Sequence, residues 1–267
     1  MHENGDMTID DSHFYTKSIA EAFATLIEKK GFDFGPLACG MPPSPDFGYF
    51  ELANRFWRAS LCIYACGVTN CFWERGVGYA EPWLFNARHA VELYVKGFLL
   101  STIWLEKMQT DPHISVEIAE ILNLRHELGG PHKIGDLYSN YEQRIKNVVS
   151  TWNYTDIPEK PELNYLVLSS TATDMLKELD QSDETSFRFR YPSLKTGNVD
   201  SLQELHWHHD PSKLFPKTGL PKEAGYFFSH VAVINNLHEL ITALQEIEGY
   251  FRAIQQQQDL NNDYWHE

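Results

Sequence analysis

Apolar residues recur at three- and four-residue spacing along most of the chain, the period of a helix that buries one face. The spacing predicts a first helix over 16–30, with Ala20, Phe23, Leu26 and Ile27 inward, and then an irregular Gly/Pro-rich connection over 31–48. A long helix follows over 49–72, carried by Phe50, Ala53, Phe56, Trp57, Leu61, Tyr64, Ala65 and Val68. Glu51 and Arg55 are spaced there as a surface pair. Gly76 and Gly78 interrupt the pattern, and Pro82 suits the first turn of a second long helix reaching Met108. Weaker periodicity marks 113–124. After the stop at Gly129-Gly130-Pro131, helices are expected over 132–151 and 163–179. The period is lost over 180–221, where Phe187, Phe189 and Tyr191 alternate as in a short strand that Pro192 ends. A last amphipathic helix over 223–258 presents Phe227, Val231, Ile234, Leu237, Ile241, Leu244, Ile247, Phe251 and Ile254 on one face. That face needs a partner, either the bundle or a second subunit. The polar end beyond it is expected to fray.

The result is an all-α chain of six or seven helices with one irregular insertion. Residues 1–47 form an N-terminal helix and connection, 48–258 the helical domain, and 259–267 a polar tail.

The second long helix departs from simple amphipathicity. Leu84, Phe85, Val91, Leu93, Tyr94, Val95, Phe98, Leu99 and Leu100 surround Arg88, Glu92 and Lys96, which stand four residues apart and so form one line. A helix apolar on most sides is normally buried. Charges on it must pair, reach solvent through a gap, or line a site. With His89 they are either a self-neutralising ladder on an exposed strip or a pocket for an anionic ligand.

Charge and composition narrow the function classes. The net charge of −15 opposes broad duplex binding, which needs clustered Lys and Arg, and opposes adsorption to anionic membranes. A small basic pocket on an acidic body remains compatible with one RNA segment. Cys39, Cys62, Cys66 and Cys71 include no C-x-x-C pair and read as reduced thiols rather than a disulfide framework or zinc site. Residues 1–11 are polar and acidic, unlike a signal peptide. The longest uncharged run, 59–73, falls short of the about 20 apolar residues that span a bilayer. These features predict a cytoplasmic protein.

Two further patches carry chemistry. Arg125-His126 precedes His132, with Asp136-Leu137 beyond it. An imidazole near a helix start can move a proton to or from the ribose 2′-oxygen and the leaving 5′-oxygen while a guanidinium holds the phosphate charge. His132 could equally bond local backbone. Arg188 and Arg190 alternate with Phe187, Phe189 and Tyr191, and could hold phosphate, stack on bases, or pair with carboxylates of this acidic chain. In the His206-Trp207-His208-His209 cluster, only His206 and His208 would share a strand face, and no third ligand is evident, so no metal site is assigned.

Arg88-His89-Ala90-Val91-Glu92-Leu93-Tyr94-Val95-Lys96, then His132-x-x-x-Asp136-Leu137, then Phe189-Arg190-Tyr191-Pro192 before the last helix resemble the HEPN superfamily of prokaryotic helical domains over about residues 48–255. The resemblance implies a HEPN-like helical bundle from a phage-defence, abortive-infection or toxin–antitoxin system. It implies a metal-independent endoribonuclease that needs no cofactor and acts as a homodimer. In that family an Arg and a His a few residues apart cleave RNA, which points to Arg125 and His132 as the catalytic pair. Arg88, His89, Glu92, Lys96, Asp136, Arg190 and Tyr191 would then bind substrate RNA or a nucleotide. Gly129-Gly130-Pro131 separates the two catalytic candidates, where the family places them on one helix start. The alternative implied is therefore a non-catalytic scaffold, a nucleotide sensor, or a subunit that binds a protein from the same operon.

Overall fold

The computed structural model describes residues 48–69, 80–109, 133–153, 160–182, 213–214 and 230–264. All regular structure among them is helical: α1 (Tyr49–Thr69), α2 (Ala80–Met108), α3 (Ile134–Ser150), α4 (Ser170–Ser182) and α5 (His230–Tyr264), with a 3₁₀ turn at Leu163–Tyr165. The helices expected over 16–30 and 113–124, the Gly129–Pro131 stop and the alternating Phe187–Tyr191 run lie outside the described residues.

α2 is the central helix and touches each of the other four. Trp83, Leu84, Ala87, Ala90, Val91, Leu93, Tyr94, Val95, Phe98, Leu99 and Leu100 are all buried, which accounts for its apolarity around nearly the whole circumference. α1 lies along it through Phe50, Ala53, Trp57, Ser60 and Tyr64, one helical stripe. The Ser60 hydroxyl donates to the Trp83 carbonyl at 2.8 Å, so the one polar residue of that stripe is satisfied. Glu51 and Arg55 meet at 3.1 Å on the solvent side of α1, as their spacing predicts.

Phe98 is the aromatic hub. Its ring centroid lies 5.4 Å from that of Phe50, 5.3 Å from Tyr141 and 6.0 Å from Phe251, joining α1, α3 and α5 to α2. Such ring pairs each add about 0.5–1.5 kcal/mol beyond the area they bury.

The helix expected over 163–179 is broken. Leu166 N–H closes the 3₁₀ turn on the Leu163 carbonyl, and the Tyr141 hydroxyl donates to the Leu166 carbonyl. The Leu168 N–H donates to the Tyr138 hydroxyl at 2.7 Å. Two tyrosines of α3 thus take up backbone groups that a continuous helix would use itself. α4 restarts after Ser169, whose hydroxyl accepts the Ala172 N–H at 3.2 Å, an N-cap. α4 also runs to Ser182, so Asp180 belongs to a helix rather than to the irregular insertion.

α5 continues to Tyr264, past the point where fraying was expected. Its apolar face, including Ile234, Leu237, Ile241, Leu244, Ile247, Phe251 and Ile254, is buried within the chain's own bundle. Of the two partners open to that face, the bundle is the one present. A short piece of the insertion is clasped nearby. The Leu214 N–H donates to Glu178 Oε2 at 2.9 Å, and the Lys213 carbonyl accepts from Asn236 Nδ2 at 2.7 Å. Leu214 itself is fully buried. No described helix is long and apolar enough to cross a membrane.

The Phe50 ring of α1 packs over Gly97 of α2. A methyl group there would overlap the Phe50 ring. Alanine favours helix by about 1 kcal/mol over glycine, but overpacking a filled core costs about 1–3 kcal/mol. Gly97→Ala should therefore be neutral to destabilising in urea unfolding despite its better helix propensity. A clear stabilisation would show that α1 is free to move away.

Candidate functional site: a buried ladder of charge

The four-residue spacing of Arg88, Glu92 and Lys96 places them on one line of α2, and that line faces inward. Arg88 is 1% exposed, Glu92 0% and Lys96 7%. Glu92 accepts from both neighbours: Arg88 Nη1 reaches Oε2 at 3.1 Å and Lys96 Nζ reaches Oε1 at 2.7 Å. One carboxylate between two cations leaves an excess positive charge, and the second anion comes from α4. Asp180 Oδ1 lies 3.6 Å from Arg88 Nη2. Among the described residues, Arg88 and Lys96 thus stand against Glu92 and Asp180.

Asp180 also reaches α3. Its Oδ1 accepts the Ile134 N–H at 2.7 Å and its Oδ2 the Gly135 N–H at 3.0 Å. The first-turn N–H groups of a helix have no partner within it and carry the positive end of its dipole. The anion that such a helix start favours is supplied here by the chain itself. Through Asp180, the ladder ties α2, α3 and α4 into one charged joint.

His89 sits one residue along. Its ring packs edge-on against Phe56, with centroids 4.4 Å apart, and is stacked on Phe85 at 5.8 Å. Nδ1 is 3.9 Å from Glu92 Oε2, beyond hydrogen-bonding distance.

The carboxyls of the cluster shift in opposite directions. Burial pushes the Glu92 carboxyl upward, but His89, Lys96 and Arg88 beside it outweigh burial and hold it well below the usual carboxylate range. Burial also raises Asp180, and there the Gly135 and Ile134 N–H groups and Arg88 only partly compensate, while Asp136 adds repulsion.

A second polar network was not foreseen from the residue pattern. Asn54 Nδ2 donates to Glu248 Oε2 at 3.2 Å, and Asn54 Oδ1 accepts from the Tyr94 hydroxyl at 2.8 Å and from Gln245 Nε2 at 2.9 Å. Arg252 Nε reaches Glu248 Oε1 at 2.7 Å. This network joins α1, α2 and α5, and burial raises the Tyr94 hydroxyl well above an ordinary tyrosine. Its members satisfy one another, so it reads as an interhelical clamp.

Of the candidate binding residues, the structure brings Arg88, Glu92 and Lys96 together in the interior rather than on an exposed strip, with His89 partly exposed beside them. Asp136 is exposed on the first turn of α3. Arg125, His132, Arg188, Arg190 and Tyr191, and the histidines at 206, 208 and 209, lie outside the described residues. Among the described residues no three His, Cys, Asp or Glu side chains gather as a metal-holding group. Compared with family models, curated proteins and solved structures, the chain finds no match.

Removing one member of a buried ion pair strands its partner and costs about 3–5 kcal/mol. Glu92→Gln leaves Arg88 and Lys96 facing a neutral amide, and a loss of that order is expected in urea unfolding at neutral pH. The pH dependence follows from the lowered carboxyl. Below the ordinary value of 4.5 the unfolded chain binds a proton that the folded chain still refuses. The contribution of Glu92 is therefore complete above that pH and is lost as pH falls toward the folded value. Wild-type stability should fall more steeply than that of Glu92→Gln as pH drops below about 4.5; parallel curves would contradict the assignment.

Proposed function

We propose that this chain is a HEPN-like helical protein of a phage-defence or toxin–antitoxin system, and that it cleaves RNA without a metal ion. Arg125 and His132 are the proposed catalytic pair. The His132 imidazole removes the proton of a ribose 2′-hydroxyl, and the 2′-oxygen attacks the adjacent phosphorus. The bond from phosphorus to the 5′-oxygen breaks, and that oxygen takes up a proton. The products are a 2′,3′-cyclic phosphate and a 5′-hydroxyl, with Arg125 stabilising the charge that develops on the phosphate oxygens. Arg190 and Tyr191 are proposed to hold the RNA.

The observation that best supports this reading is the joint at the start of α3. His132 stands two positions before Ile134 in the chain, and the first turn of α3 is held by Asp180 and, through it, Arg88. A catalytic group benefits from a rigid support of this kind. Burial revises the proposed part of Arg88, Glu92 and Lys96: they serve as the internal frame of the site instead of contacting phosphate. Dimerisation is proposed from the resemblance alone, since the apolar face of α5 is covered within the bundle.

A second reading is a non-catalytic scaffold or sensor that binds a nucleotide or a partner protein. It is favoured by the burial and mutual neutralisation of the cations on α2, which leave that line no exposed charge for RNA.

Incubating the purified full chain, Arg125→Ala and His132→Ala with total RNA in EDTA separates the readings. The ribonuclease reading expects EDTA-resistant cleavage by the wild type, ending in cyclic phosphates. It expects a loss of roughly 100-fold or more in His132→Ala, without a change in melting temperature. Absence of cleavage, or cleavage unchanged in both variants, would leave the scaffold reading.

A further inference from the structure

Lys213 and Leu214 stand apart in sequence from both α4 and α5, yet both helices grip them. The N–H and C=O of a trans peptide unit point in opposite directions. The unit joining Lys213 to Leu214 is held at each end. Its N–H donates to Glu178 Oε2 of α4 at 2.9 Å, and its carbonyl accepts from Asn236 Nδ2 of α5 at 2.7 Å. The chain therefore passes between the two helices, with one side chain from each satisfying the backbone.

The two side chains of the segment are read as well. Leu214 is fully buried and belongs to the apolar core. The Lys213 ammonium lies 3.4 Å from Asp174 Oδ2 and 3.7 Å from Glu178 Oε1, carboxylates one turn apart on α4. Glu178 thus takes the backbone N–H with one oxygen and faces the ammonium with the other.

We propose that the crevice between α4 and α5 is a recognition site for a short basic–aliphatic peptide segment, with Lys213-Leu214 as its resident ligand, bound in cis. The proposal is independent of any ribonuclease activity. The clamp on the peptide unit excludes proline at the second position, which has no N–H to give Glu178. The side-chain contacts select further. A buried aliphatic group fills the second position, and an acidic residue at the first would meet two carboxylates at close range.

The walls of the crevice are set without the ligand. Asp174 and Glu178 are placed by α4 and Asn236 by α5, and these helices touch each other directly. α4 is tied further to α2 and α3 through Asp180. Emptying the crevice accordingly leaves the bundle folded. A ligand on the same chain acts at an effective concentration on the order of millimolar, so a free peptide competes poorly until the resident segment is disabled.

The test uses the full chain throughout. In the wild type, hydrogen exchange of the Leu214 amide should report local opening, faster than that of Leu240 in α5 and insensitive to low concentrations of urea. In Leu214→Asp, a synthetic peptide of residues 209–218 should bind saturably and shift the Asn236 side-chain amide resonance in NMR. The same peptide with alanine at both anchor positions should not bind. Adding Glu178→Ala to the recipient chain should weaken the peptide about tenfold or more, the loss expected for a hydrogen bond to a charged group. Should Leu214→Asp unfold the bundle, Lys213→Glu, changed at a partly exposed side chain, is the recipient instead. Exchange of Leu214 and Leu240 at one rate with one urea dependence would overturn the proposal. So would a peptide that fails to bind the recipient, that binds without its two anchor residues, or that is indifferent to Glu178→Ala.

Discussion

Three helices of this bundle are joined around a carboxylate with no exposure to solvent. Glu92 sits on the most buried of the described helices, and its burial is tolerated because Arg88 and Lys96 stand one turn to either side. Among the described residues Asp180 brings a second carboxylate to Arg88 from another helix, and it also takes up two N–H groups at the start of α3. A local ladder on one helix thereby becomes a joint among three. Hydrophobic contact alone would let α3 and α4 slide against α2, since apolar surfaces are non-directional. The charged joint fixes their register.

Much of this was legible in the residue pattern. The helical period predicts α1, α2, α3 and α5, and the apolarity of α2 around most of its circumference marks it as the central helix. The spacing of Arg88, Glu92 and Lys96 shows that they can pair. What the pattern could not show is which way the line faces, because a self-neutralised ladder suits a surface as well as an interior. Asp180 was missed for a related reason: its partners at Ile134 and Gly135 are 46 and 45 positions away, and no periodicity links them. The clamp from Asn54 to Gln245 spans 191 positions and was equally hidden. The break before α4 depends on the Tyr138 and Tyr141 hydroxyls, which a helix-period reading treats only as apolar bulk.

Arg88 and Lys96 are buried against carboxylates instead of facing a phosphate, and Arg125, His132, Arg190 and Tyr191 are the residues proposed for RNA contact. In that proposal the frame holds the first turn of α3, which begins at Ile134, two positions beyond His132 in sequence. A scaffold would use the same frame for a different end, since a rigid joint suits partner binding as well as catalysis.

The central claim is that Glu92 and Asp180 act together, through Arg88, although they lie on different helices. A double-mutant cycle of Glu92→Gln and Asp180→Asn, read by urea unfolding at neutral pH, measures this directly. Residues in one charged network couple by about 0.5–3 kcal/mol, and a non-additivity in that range is the predicted result. Strictly additive effects would mean that the two carboxylates do not share Arg88, and the three-helix joint described here would not exist.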